Sequence, residues 1–414
     1  MIAKKRIVIT GIGIASSLGI GKNAYWAALK NGESGIRSIS VFNTDNYRVK
    51  SAGEIFNLDF KKYFSKRELI NMDRATALVL LSSKMAMEDA KLEITQDNTY
   101  KTGISVGTTF GSLESLSEFD KESVIKGPQL VNPSRFPNTV ANLPASQISI
   151  YLKIKGFNAT ISTGMCAGLD AIDYSIKAIE MHNRKSVFAG AVEELSEQIF
   201  LGFYKLKYLS GTSLSKEVIS CPFDARRNGV VFGEGCGMII LEDLESAQKR
   251  GAHIYAEIGG FASSFDPFRL YRYNPNGIGM IQAMKTALEK AKLEPKDIDY
   301  ICANANSTLD GDIAEARAIK KIFGSNNKDL LVSSIKSMIG ETYSAGGALA
   351  TIAAIGAICH SFVPPTINVQ NIDPQINLNL VINKAKEVAL KTVMINAFGQ
   401  NGACSSLIIK RYRN

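Results

Sequence analysis

Along this chain, short apolar runs that suit strands alternate with longer segments of helical period, and no low-complexity linker interrupts the alternation. Residues 6–14 open it as a buried strand, and residues 75–90 follow with Leu78, Leu81, Met85 and Met87 on offer at helical spacing. Further strands are predicted at 102–106, 186–189, 237–241 and 300–303, with helices after Gly168 and over 279–292. This order implies parallel sheets covered by helices, because parallel neighbours need a crossover long enough to hold one. A charged helix-to-turn stretch at 242–251 separates two parts, 1–250 and 251–414, each with such alternation. Two similar halves within one α/β protein are therefore expected, with no short repeat.

With 414 residues, 45% of them hydrophobic and 21% charged, the chain can bury a large core and is too apolar to stay disordered. No run of about 18 apolar residues is free of charges and glycines, so no bilayer span is expected. Lys4, Lys5 and Arg6 precede Ile7, Val8 and Ile9 as in a secretion signal. Gly11, Gly13, Ser16, Ser17 and Gly19 then break the apolar run, so a buried first strand entering a glycine-rich turn fits better. The six cysteines, Cys166, Cys221, Cys236, Cys302, Cys359 and Cys404, show no C-x-x-C pairing. That argues against zinc and a secreted disulfide framework, and points to a reducing cytoplasm. The formal charge of +9 suits either a solvated basic surface or a docking face for an acidic partner. No basic cluster interleaved with aromatics and no zinc-finger spacing supports nucleic-acid binding.

The most specific motif spans residues 221–241, C-P-F-D-A-R-R-N-G-V-V-F-G-E-G-C-G-M-I-I-L. It closely resembles the P-F-D-x-x-R-x-G-F-x-x-G-E-G segment of β-ketoacyl synthases. The likeness continues in I-V-I-T-G-I-G at 7–13, G-D-I-A-E-A at 311–316, K-S-M-I-G at 336–340 and P-P-T-I-N at 364–368, and so covers essentially the whole chain. The resemblance implies a thiolase-type α/β fold, layered α-β-α-β-α from two pseudo-duplicated halves, and a dimer with a large buried interface.

Active members of that family condense a malonyl unit with an acyl chain. A cysteine thiolate at a helix N-terminus takes the acyl group, helped by the helix dipole. Two histidines then donate hydrogen bonds to the enolate and the later oxyanion. The nucleophile stands in an A-C-x-x-G turn, and the matching segment here, residues 162–172, reads S-T-G-M-C-A-G-L-D-A-I. Anchored on Gly168, the match puts Met165 at the nucleophile's place, and a thioether forms neither thiolate nor stable thioester. A one-residue shift would instead offer Cys166 as a fallback nucleophile, with its side chain turned away. The family's first histidine, in A-H-G-T-x-T, is replaced by Asn304, with Thr308 the surviving second threonine. Asparagine still donates a hydrogen bond but carries no proton charge. The second histidine, after K-S-x-x-G, is replaced by Glu341, whose carboxylate is expected to repel a malonyl group. His182, His253 and His360 match neither motif. Lys336, Asp312 and Glu315 survive and are read as structural partners in a buried polar network.

Among relatives without the nucleophile, the chain length factors of type II polyketide synthases carry Q-A-G-G-L-D-A at this point, which M-C-A-G-L-D-A resembles. The resemblance implies a non-catalytic ketosynthase beta subunit that pairs with an active ketosynthase alpha subunit and shapes the tunnel that limits polyketide length. It implies no cofactor of the chain's own, since phosphopantetheine arrives on a partner acyl carrier protein. Tunnel candidates are Thr109, Phe110, Leu113, Leu116 and Ser117, with Gln400 in place of the phenylalanine that gates the acyl pocket; ordinary helix packing would explain the first five equally. Arg135, Phe136 and Pro137 match the segment that crosses the dimer interface. A divergent synthase using Cys166, a malonyl-carrier decarboxylase and a scaffold unrelated to acyl chains remain the alternatives.

Overall fold

The computed structural model describes residues 5–70, 72–182, 184–213, 216–325 and 327–413. Its first half carries strands β1 (Ile7–Ser16), β2 (Thr102–Gly107), β3 (Asn158–Ile161), β4 (Ser186–Glu193) and β5 (Gly235–Asp243). The second half carries β6 (Ala256–Phe265), β7 (Tyr300–Cys302), β8 (Leu331–Ser333), β9 (Thr392–Phe398) and β10 (Ala403–Lys410). Hydrogen bonding orders them β8-β7-β9-β10-β6-β1-β5-β4-β2-β3 in one sheet. Read outward from the β1–β6 junction, each half has the same order, first-fifth-fourth-second-third. The directions also repeat: the first two pairings in each half are antiparallel and the last two parallel. The duplication is thus written into the topology. The expectation of parallel sheets needs correction, because hairpin-like neighbours such as β9 and β10 make the sheet mixed.

Eight of the helices frame the site: α1 (Arg74–Asp89), α2 (Leu113–Lys126), α3 (Leu143–Leu152), α4 (Ala167–His182), α5 (Glu197–Lys205), α6 (Ile278–Ala291), α7 (Leu309–Phe323) and α8 (Ala345–His360). α1 and α3 cover the first half-sheet and α6, with α7 against it, the second, while α4 and α8 pack against each other in the middle layer. α8 touches strands of both halves and is buried along nearly its whole length, which is why its sequence is apolar on every side. Contact between the middle helices relies on glycine: a Cβ on Gly168 would lie 2.6 Å from the Ser344 carbonyl oxygen. Glycine likewise lets α1 settle on β1, where a Cβ on Gly13 would fall 1.8 Å from the Ser82 carbonyl oxygen.

Sequence-derived boundaries fall within a few residues of the observed ones. β1 and β4 run further than predicted, to Ser16 and Glu193. β7 stops at Cys302, which leaves Asn304 in the loop beyond the strand's carboxyl end.

Candidate functional site

Four loops converge where the carboxyl ends of β3, β7 and β8 meet the turn between β9 and β10. Gly164, at φ 70°, opens a single 3₁₀ turn, Gly164–Cys166, that delivers Met165 to the foot of α4. The loop after β7 supplies Asn304 and Asn306. A short helix, Lys336–Ile339, follows β8, and Gly340, at φ 75°, turns the chain so that Glu341 points inward. All of these side chains are buried, Met165 at 2% exposure, Asn304 at 4% and Glu341 at 1%.

Lys336, Glu341, Asn304 and Met165 behave differently from one another. The Lys336 ammonium donates to Asn304 Oδ1 at 2.8 Å and pairs with Glu341 Oε2 at 2.9 Å. Glu341 also accepts from Asn306 Nδ2 at 2.7 Å and from the Tyr343 backbone N–H at 2.9 Å. Its carboxylate is therefore neutralised by an ion pair, not held free to repel an incoming anion. Asn304 donates one of its two amide N–H bonds to the Phe398 carbonyl at 3.1 Å and accepts from Lys336 through Oδ1. Met165 instead receives the Tyr273 hydroxyl at 3.7 Å from its sulfur, and the same hydroxyl donates to the Phe398 carbonyl at 3.2 Å.

Beneath these lies a layer of buried carboxylates. Glu315 accepts from the backbone N–H groups of Asn304 (2.9 Å) and Ala305 (2.7 Å) and from Asn396 Nδ2 (3.0 Å). Asp312 accepts from the N–H groups of Asn306 (3.0 Å) and Phe223 (2.8 Å) and sits 3.7 Å from Arg227 Nε. Burial pushes Glu315 up to about 7 and Asp312 up to about 6, against the opposing pull of these donors. Thr308 binds Asn306 Oδ1 at 2.8 Å through its hydroxyl. Lys336, Thr308, Asp312 and Glu315 thus hold the loop after β7 in shape.

Cys166, one residue from Met165, lies in the main core with no exposure and donates through Sγ to the Ala397 carbonyl at 3.0 Å. Burial first, and then the charge of Asp170, push its thiol well above the usual range, the opposite of an activated nucleophile.

The tunnel candidates do not line one space. Thr109 and Phe110 follow β2, and their backbone N–H groups both bind Glu193, each at 3.1 Å. Burial raises Glu193 to about 7. The Phe110 ring packs on Tyr343 at 5.0 Å and Phe203 at 6.0 Å, and Leu113 joins the same cluster. Leu116 faces outward, and Ser117 borders a surface cleft of about 200 Å³ beside α5. Gln400 is buried in the turn between β9 and β10, next to the Asn401 that faces Gly164. Arg135, Phe136 and Pro137 lie exposed in the 3₁₀ segment Pro133–Thr139, Phe136 against Phe119 and Arg135 3.5 Å from Glu122. Sequence reasoning missed Tyr273, Asn306 and Tyr208, because nothing in their local pattern separates them from packing or loop residues. Among the described residues no group of His, Cys, Asp and Glu could hold a metal ion, and no helix is long and apolar enough to cross a membrane.

Comparison with known proteins places this geometry. The family model described as β-ketoacyl synthase, N-terminal domain, matches residues 4–247, and that of the C-terminal domain matches residues 255–370. The 3-oxoacyl-[acyl-carrier-protein] synthase 2 of Coxiella burnetii is 35% identical over 409 residues, 99% of each chain. Among solved structures, the ishigamide ketosynthase/chain length factor superposes with a TM-score of 0.92 at 30% identity, covering 99% of this chain and 100% of the other. A type II PKS acyl-carrier protein in complex with its ketosynthase bound to the hexaketide gives a TM-score of 0.90 at 28% identity, again over 99% and 100%.

Proposed function

The chain belongs to the β-ketoacyl synthase family, and on that premise we propose that it is a non-catalytic subunit of the chain length factor kind, partnered with an active ketosynthase. The observation that carries this reading is the state of the catalytic positions. A thioether stands at the foot of α4 where a thiolate is required, and the position of the second histidine holds a carboxylate tied to Lys336. The partner then supplies cysteine and histidines, an acyl carrier protein brings the growing chain on its phosphopantetheine, and this subunit needs no cofactor of its own. Its contribution is the packed wall that Phe110 and Leu113 help to form, since such a wall limits how far a product extends without acid or base chemistry.

The surface supports pairing. β3 ends the sheet with one edge open, and exposed Phe136, Val140 and Ile150 lie in segments near that edge. The +9 charge suits contact with an acidic carrier, and six unpaired cysteines suit a reducing cytoplasm. Similarity to 3-oxoacyl synthases favours a second reading, a divergent synthase using Cys166. The buried Sγ, bonded to Ala397 and of raised pKa, weighs against it.

The test is to incubate the chain with acyl- and malonyl-loaded carrier protein, alone and with an active ketosynthase from the same genome, and to record intact masses and peptide maps. The expected result is an unmodified chain and a ketosynthase whose product length depends on its presence. Acyl groups on Cys166, or a ketosynthase indifferent to this chain, would refute the reading.

A further inference from the structure

We infer that this chain's own thioester site is closed sterically as well as chemically, by Tyr273 against Met165 and by a cluster of aromatic rings that begins beside Tyr273 at Tyr208. A pantetheine-borne acyl group would therefore not reach position 165 even if a cysteine stood there. This deepens the reading proposed above and rests on position 165 being the former nucleophile site.

The first closure comes from one turn of chain. Tyr271 and Arg272 are exposed at the surface, whereas Tyr273 turns inward to 5% exposure. Its ring is packed so closely on the first turn of α7 that a Cβ on Gly311 would lie 2.8 Å from it. Its hydroxyl is tethered to the Phe398 carbonyl and the Met165 sulfur. Outside the ring, the recess bordered by Asp266, Tyr273, Met280, Gly399, Gly402 and Cys404 amounts to about 10 Å³. That is room for one water at most, whereas a pantetheine arm needs a channel.

The second closure is aromatic. Phe110, Phe203 and Tyr343 contact one another at ring separations of 5.0–6.0 Å, and Phe203 also meets Phe232 at 5.4 Å and Tyr208 at 5.6 Å. Tyr343 follows Glu341 by two residues, and the buried Tyr208 hydroxyl lies close to Glu341, Tyr273 and Asn306. Rings at these separations leave no space for an alkyl or polyketide chain, and a packed interior yields little.

The inference is tested with the full-length chain carrying M165C, alone and combined with Y273T or Y273F. A chloroacetamide of pantetheine is the probe, and peptide fragmentation reads the alkylation rate at position 165. Cys359, the exposed cysteine, serves as the internal standard and buried Cys302 as the reporter of unfolding. M165C alone should react at least tenfold more slowly than Cys359. Adding Y273T should raise the rate at position 165 at least tenfold with Cys302 unlabelled, while Y273F, which keeps the ring, should leave it slow. Fast labelling of M165C alone, equal opening by Y273F, or labelling that spreads to Cys302 would each overturn the inference. None of these outcomes bears on whether the chain alters a partner's product, so the two proposals fail separately.

Discussion

Lys336 and Glu341 form a buried ion pair, with side-chain exposures of 7% and 1%, and the pair can be broken from either side. In Lys336→Met the carboxylate keeps Asn306 Nδ2 and the Tyr343 N–H but loses its counter-charge. In Glu341→Gln the ammonium retains Asn304 Oδ1 but no anion. Leaving one charge buried and unpaired costs about 3–5 kcal/mol. With an unfolding entropy of about 2.1 cal/mol/K per residue over 414 residues, each single variant should melt about 3–6 °C lower. The double variant Lys336→Met/Glu341→Gln removes both charges and should recover much of that loss, so the coupling energy in a double-mutant cycle should exceed about 2 kcal/mol. Calorimetric melts of the four proteins at pH 7 measure it. Additive effects, or single variants within about 0.5 kcal/mol of the parent, would show that the two groups do not depend on each other and would remove the physical reason for a carboxylate at position 341.

Stability should also depend on pH in a defined direction. Burial raises Glu193 and Glu315 to about 7 and Asp312 to about 6, so the folded chain binds protons that the unfolded chain has released. Stability should therefore fall as pH rises from about 4.5 to about 7; urea unfolding at pH 5.5 and 7.5 reads it, and a flat or rising profile would contradict the assignment. Asp224 works the other way. Burial pushes it up, but Arg226 and the backbone N–H groups around it outweigh that and hold it at about 2, so acid should destabilise the fold again below about pH 3.8. Gly168→Ala would press a Cβ to 2.6 Å from the Ser344 carbonyl oxygen and part the two middle helices. It should cost about 1–3 kcal/mol in a urea melt, and a neutral result would mean that the α4–α8 contact relaxes freely.

The sequence was most informative where chemistry is tied to a local motif. The 221–241 segment and the residues at the motif positions, Met165, Asn304, Glu341, Lys336, Asp312 and Glu315, all follow from residue identity at fixed spacing. So do the strand-and-helix alternation and its duplication, because periodicity reports which face of an element is buried. Strand direction was not legible: β9 and β10 each read as apolar runs, and only their pairing makes the second half-sheet mixed.

What the chain alone determined, then, is the family framework and which residues stand at its motif positions, since an element's period and a side chain's functional groups are properties of the sequence. Tertiary structure decided what those residues touch. It is packing across the fold that brings Glu341 to Lys336, five residues apart in sequence but joined only through the turn at Gly340, and Tyr273 to Met165, 108 residues away. A charge or a ring has no pattern that names its partner, and only the folded chain sets the distance between them.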